Sequence, residues 1–102
     1  MSEYVAVADV DRVPSDRGLS VSVGDRELAL FNLGGQFYAL DGFCPHRGGP
    51  LGEGDIIGNE IVCPWHFWSF DIATGCNSVS AEMAVPTFEV KLEGERILVN
   101  LA

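Results

Sequence analysis

Two of the three cysteines and both histidines of this chain fall in two short runs, Cys44-Pro45-His46 and Cys63-Pro64-Trp65-His66, with sixteen residues between them. Thiolate sulfur and neutral imidazole nitrogen bind soft or borderline metals, and four such side chains arriving as two pairs can close a four-ligand site. Taken singly, each cysteine reads as a small buried hydrophobe and each histidine as a structural imidazole. Four of them at this spacing, among many glycines, point instead to a metal centre. Structural zinc accepts two Cys and two His, but zinc modules usually pair Cys with Cys and His with His. Here each run offers one of each, which suits a two-metal cluster that both runs span.

The Cys-x-His and Cys-x-x-His spacing resembles the Rieske iron-sulfur family, in which two cysteines hold one iron and two histidines the other. The flanking residues carry the likeness further: Cys44-Pro45-His46-Arg47-Gly48-Gly49-Pro50-Leu51 and Cys63-Pro64-Trp65-His66 look like the two cluster-binding loops of Rieske ferredoxins. The resemblance implies one Rieske-type [2Fe-2S] cluster per chain, held by Cys44, His46, Cys63 and His66. It implies an all-β Rieske fold, an antiparallel β-sandwich or barrel base domain with a cluster-binding subdomain inserted between two of its strands. In these terms residues 1–102 are a single domain and about 42–72 the subdomain. The implied role is electron transfer rather than catalysis. A flavoprotein reductase would donate one electron and a terminal oxygenase of the ring-hydroxylating type would accept it. The alternative is the small subunit of an assimilatory nitrite reductase, which shares this size, fold and Gly-Gly-Pro-Leu loop and serves a terminal reductase.

Imidazoles in place of thiolates raise the reduction potential from about −400 mV into a range of roughly −150 to +300 mV. High-potential members of the family add a disulfide between the loops, and Ser and Tyr hydroxyls that donate to the cluster. Here Gly49 and Trp65 stand at the disulfide positions, Trp68 and Phe70 at the hydroxyl positions. The potential is therefore expected at the low end.

The elements that must position these runs read as short strands. Tyr4 to Val7 and Leu19 to Val23 alternate apolar and polar residues across an exposed loop with Pro14, Ser15, Asp16 and Gly18. From Glu27 to Leu33 both faces are apolar, Leu28 and Leu30 on one and Ala29, Phe31 and Leu33 on the other, which predicts a strand buried on both sides. Gly34-Gly35 turns the chain back through Phe37 to Leu40. Gly48, Gly49, Pro50, Gly52 and Gly54 disfavour regular structure and let backbone approach a neighbour closely, the expected neighbour being cluster sulfur. Asp55 to Ile57 and Glu60 to Val62 form a hairpin across Gly58-Asn59, and Phe67 to Asp71 a further strand. Ala73-Thr74-Gly75 is a turn, and Cys76 to Ala84 is irregular. Phe88 to Leu92 and Arg96 to Leu101 form a last hairpin across Glu93-Gly94. Nine or ten strands without helical periodicity predict a small antiparallel sandwich or barrel.

Around His66, the aromatics Trp65, Phe67, Trp68 and Phe70 read as core, with Trp65 or Phe67 the candidates for a rim position. Phe67 departs from the small residue that follows the second His in most Rieske ferredoxins. Met83 to Pro86 corresponds to the segment that shields the cluster. Arg47 is expected to solvate its loop or pair with a carboxylate, and Cys76 reads as a buried or idle thiol. Six basic against fifteen acidic residues give a net charge of −9, which argues against a nucleic-acid surface and for a basic partner. Glu53, Asp55 and Asp41 are the first candidates for steering it. A chain of 102 residues has room for a cluster but not for the catalytic domain of an oxygenase, so substrate chemistry is expected on another chain. The sequence has neither a leader-like N-terminus nor an apolar run of about eighteen residues, and its cysteine count is odd. It predicts a cytoplasmic protein that does not cross a membrane.

Overall fold

Ten strands follow one another in the computed structural model, which describes residues 4–42, 50–64, 68–77 and 84–101. They are β1 (Tyr4–Asp9), β2 (Arg17–Val23), β3 (Arg26–Leu33), β4 (Gln36–Asp41), β5 (Asp55–Ile57), β6 (Glu60–Val62), β7 (Ser69–Asp71), β8 (Thr87–Phe88), β9 (Val90–Glu93) and β10 (Arg96–Asn100). Two single 3₁₀ turns, Val10–Arg12 and Leu51–Glu53, complete the regular structure among the described residues. All pairings are antiparallel and make three sheets, ordered β1-β10-β9, β2-β3-β4-β8 and β5-β6-β7.

The sheet containing β3 is the middle of three layers, and the doubly apolar pattern of that strand is the reason. Leu28 and Leu30 join Ala39, Ile97, Val99 and Val13 in one core, shared with the β1-β10-β9 sheet. Ala29 and Phe31 join Leu40, Leu51, Ile61, Cys63, Phe70, Ile72 and Val85 in a second core on the other face. Because side chains alternate across a strand, β3 serves both cores without a break in its hydrogen bonding. Its one inward polar residue, Asn32, is satisfied at both ends of its amide: Nδ2 donates to the Val13 carbonyl at 2.8 Å, and Oδ1 accepts from the Gly35 N–H at 2.7 Å.

The expected strands are present, with four differences. The loop between β1, which pairs with β10, and β2 is not wholly exposed, since Val13 is fully buried. Phe88 belongs to the middle sheet, where it pairs with Ala39. The chain changes sheets at Glu89, and the last hairpin starts at Val90 and turns at Gly94-Glu95, because Arg96 pairs with Glu93. β7 starts at Ser69; Trp68 precedes it outside the ladder and Phe67 is outside the described residues.

Candidate metal centre

Cys63 is the one predicted ligand among the described residues. It follows the last residue of β6, and its side chain is wholly buried in the core that holds Leu51, Ile61, Phe70 and Val85. Its N–H donates to the Trp68 carbonyl at 2.7 Å, which ties the two ends of that segment together. Cys44, His46 and His66 lie outside the described residues, as do Arg47, Gly48, Gly49, Trp65, Phe67 and Met83.

What the structure does place is the base from which these residues depart. Three backbone hydrogen bonds close it: Leu51 N–H to Gly42 carbonyl at 2.9 Å, Cys63 N–H to Trp68 carbonyl at 2.7 Å, and Val85 N–H to Gly75 carbonyl at 2.8 Å. All three donor residues bury their side chains in the same core. The segments carrying Cys44 and His46, Cys63 and His66, and Met83 therefore spring from one apolar platform. Burial of Leu51, Cys63 and Val85 removes competing water from the three bonds and so fixes their ends more firmly than at an exposed turn.

Gly52 and Gly54 approach protein backbone closely. A Cβ on Gly52 would stand 2.7 Å from the Ser20 nitrogen, and one on Gly54 would run into the Val62 carbonyl. The first contact presses the exit of the first ligand segment onto β2, and the second presses it onto the residue before Cys63. The 3₁₀ turn also runs through Gly52, so glycine density here serves close packing rather than disorder. Neither contact was legible in advance. A glycine run signals close approach to something, and only the folded chain shows to what.

Phe70 is fully buried in the core with Cys63, and Trp68 packs against the same core half-buried. Cys76 is exposed, so of the two readings, a buried or an idle thiol, the buried one is excluded. It lies on the turn that Asp71 organises: Oδ1 of Asp71 accepts from Ala73 and Thr74 N–H at 2.9 and 3.0 Å, and the backbone folds so that the thiol faces outward. In the expected shielding segment, Val85 is buried while Ala84 and Pro86 are exposed. Glu53 and Asp55 are exposed and, with Asp16 and Arg17, line a cleft of about 570 Å³ beside the exit of the first ligand segment. Asp41 is half-buried, its N–H held by the Pro86 carbonyl. No helix among the described residues is long and apolar enough to cross a membrane.

The Cys63 side chain is wholly buried in an apolar core, and such a dry platform suits an iron-sulfur cluster.

Comparison with known proteins fits this reading. Residues 3–89 match the model of the Rieske [2Fe-2S] domain. The chain is 37% identical over 103 residues to the ferredoxin component of the naphthalene 1,2-dioxygenase system of Pseudomonas aeruginosa, covering 98% of this chain and 97% of that one. Among solved structures, it is similar to the complex of reduced oxygenase and oxidized ferredoxin in carbazole 1,9a-dioxygenase, with a TM-score of 0.83, 29% identity and coverage of 95% and 92%. A putative NADH-dependent nitrite reductase small subunit from Mycobacterium tuberculosis has a TM-score of 0.90 over 100% of this chain and 97% of its own, at 20% identity, a likeness of fold alone. With its fold, its buried Cys63 and a family match over most of its length, the chain belongs to the Rieske [2Fe-2S] domain family, and its cofactor is a Rieske [2Fe-2S] cluster.

Proposed function

We propose that this chain is a cytoplasmic electron carrier that takes one electron from a flavoprotein reductase and passes it to a terminal oxygenase of the ring-hydroxylating type. The observation that carries the proposal is the end-to-end match, 98% of this chain against 97% of the relative, to a protein named as a ferredoxin component. A ferredoxin component is an electron carrier, and substrate chemistry is then left to a partner. The solved oxygenase and ferredoxin complex supports an oxygenase as acceptor, because its ferredoxin has the fold and nearly the length of this chain. A flavoprotein reductase as donor is what the resemblance to Rieske ferredoxins implies.

In this reading Cys44 and Cys63 bind one iron, and His46 and His66 the other. Residues 42–72 are the cluster-binding subdomain of a single domain over 1–102. The sheet β5-β6-β7 supports that division, because its strands are contiguous in sequence and lie between β4 and β8 of the middle sheet. When bound, the cluster supplies one-electron redox chemistry. The chain's own residues do the rest: the core around Cys63 excludes water, and the three backbone closures hold the ends of the ligand segments.

The test is to purify the chain anaerobically and measure iron, acid-labile sulfide and zinc, then follow its reduction by a flavoprotein reductase and reoxidation by a ring-hydroxylating oxygenase. Two irons and two sulfides per chain are expected from the family, with turnover of the oxygenase dependent on this protein. One zinc and no sulfide would overturn the cluster assignment. A loaded protein that serves a sirohaem nitrite reductase and no oxygenase would overturn the acceptor.

A further inference from the structure

Gly54 joins the two ligand segments at their base. Its N–H donates to the Leu51 carbonyl at 3.1 Å, and Leu51 in turn donates to Gly42, where the first segment begins. On its other side lies the carbonyl of Val62, the residue directly before Cys63. The backbone at Gly54 has φ −78° and ψ 178°, an extended conformation open to any residue. Glycine is therefore not required there by its dihedral angles. It is required by space: a Cβ would collide with the Val62 carbonyl oxygen and come within 3.1 Å of its carbon and 3.2 Å of Ile61 Cδ1. Carbon and carbonyl oxygen in non-bonded contact stand about 3.3 Å apart or more, so a methyl group would drive the two strands apart by on the order of 1 Å.

We infer that Gly54 is a positioning residue, whose missing side chain sets the separation between the exit of the first ligand segment and the entry of the second. The path between them is short and built of backbone: Gly42, Leu51, Gly54, Val62, Cys63. It offers no flexible side chain to absorb a shift. A wedge at Gly54 displaces Cys63 relative to Gly42, and with it the two halves of the ligand set. Metal sites respond to ligand displacements below 1 Å in stability and in electronic structure. The inference rests on the cluster reading given above.

The experiment compares Gly54→Ala with Gly58→Ala in the loaded protein. Gly58 is at the far end of the same hairpin with φ +63° and nothing within 4 Å of a Cβ, so alanine there strains the backbone without wedging anything. Both variants should melt below the parent. Only Gly54→Ala should change the ratio of reduced to oxidised cluster at a fixed ambient potential, by at least threefold, shift the g values of the reduced state, and release iron at least tenfold faster. A Gly54→Ala protein with the parent's ratio, g values and release rate overturns the inference while leaving the cluster assignment intact. A parent without two irons and two sulfides overturns the cluster assignment itself. If Gly54→Ala does not fold, it is combined with Ile61→Val, which removes the Cδ1 and gives the methyl room to tilt. That pair should still differ from Ile61→Val alone in ratio and g values. Identity of the two, or failure of the combined variant to fold as well, assigns Gly54 to stability only and overturns the positioning role.

Discussion

Leu51→Ala is the most informative single change to the platform. Leu51 is fully buried in the core with Cys63 and Val85, while its backbone N–H closes the first ligand segment onto Gly42. The substitution removes the packing and leaves the hydrogen bond. Truncating a buried leucine loses the transfer free energy of the removed carbons and adds a cavity term, together about 2–5 kcal/mol with a central value near 3. For a domain of this size each kcal/mol lowers the midpoint by roughly 4–8 °C, so about 12–24 °C is expected. Leu51→Met, which nearly conserves volume, should cost less than about 1.5 kcal/mol. The assay is an anaerobic thermal scan of the loaded protein at one fixed rate, with far-UV circular dichroism for the sheets and visible absorbance for the cluster. The two signals should be lost together in the parent. In Leu51→Ala both should move down, with absorbance lost first, because the platform under the ligand segments is what has been opened. A midpoint within about 4 °C of the parent would refute the reasoning. It would mean that Leu51 is not a shared wall of the core.

Asn32→Leu should destabilise by about 2–3 kcal/mol, because it leaves the Val13 carbonyl and the Gly35 N–H without their partner; urea titration measures it. Ser20→Ala should be neutral or stabilising by about 1 kcal/mol, since the Ser20 hydroxyl oxygen is buried without a hydrogen bond among the described residues, and a fall in midpoint would count against that placement. His46→Ala and His66→Ala should each abolish the visible spectrum, while Cys76→Ser should keep full iron and sulfide, its thiol being exposed on a turn. Reduction by the donor flavoprotein should slow as the Debye length falls from about 30 Å at 0.01 M to 10 Å at 0.1 M salt, and less steeply in the Glu53→Gln, Asp55→Asn double variant. A rate indifferent to salt would show that the acidic cleft takes no part in docking.

The cofactor was legible because metal chemistry demands particular side chains at short spacings, and nothing in an ordinary core requires a close Cys and His pair twice. β3 was legible because a period of two with both faces apolar suits a strand covered on both sides and little else. Legibility ends where the outcome depends on partners distant in sequence. Phe88 and Val90 both continue one alternation, and only the pairing of Phe88 with Ala39 reveals that the chain has changed sheets between them. Val13 is a lone apolar residue in a polar stretch, and its burial follows from Asn32, nineteen positions away, reaching its carbonyl. Cys76 could be read as buried or idle, and only the folded chain shows its thiol exposed. At the site, the glycines announced close approach, but the Val62 carbonyl as the object approached is a property of the folded backbone.

The three closures at Gly42 and Leu51, Cys63 and Trp68, and Gly75 and Val85 make each ligand or shielding segment a cassette with pinned ends. The pins mark where a segment can be cut out and replaced, while Cys76 and Asn77, inside the third pair, bond to β7 and stay with the scaffold. The cysteines of a higher-potential relative, at positions 49 and 65, can be transplanted within such cassettes, whereas its hydroxyls, at positions 68 and 70, require changes at a pin and in β7. Such chimeras separate what a segment's sequence contributes to redox tuning from what the surrounding protein contributes. The same modularity lets lineages retune a carrier by editing short stretches while the β framework stays as it is.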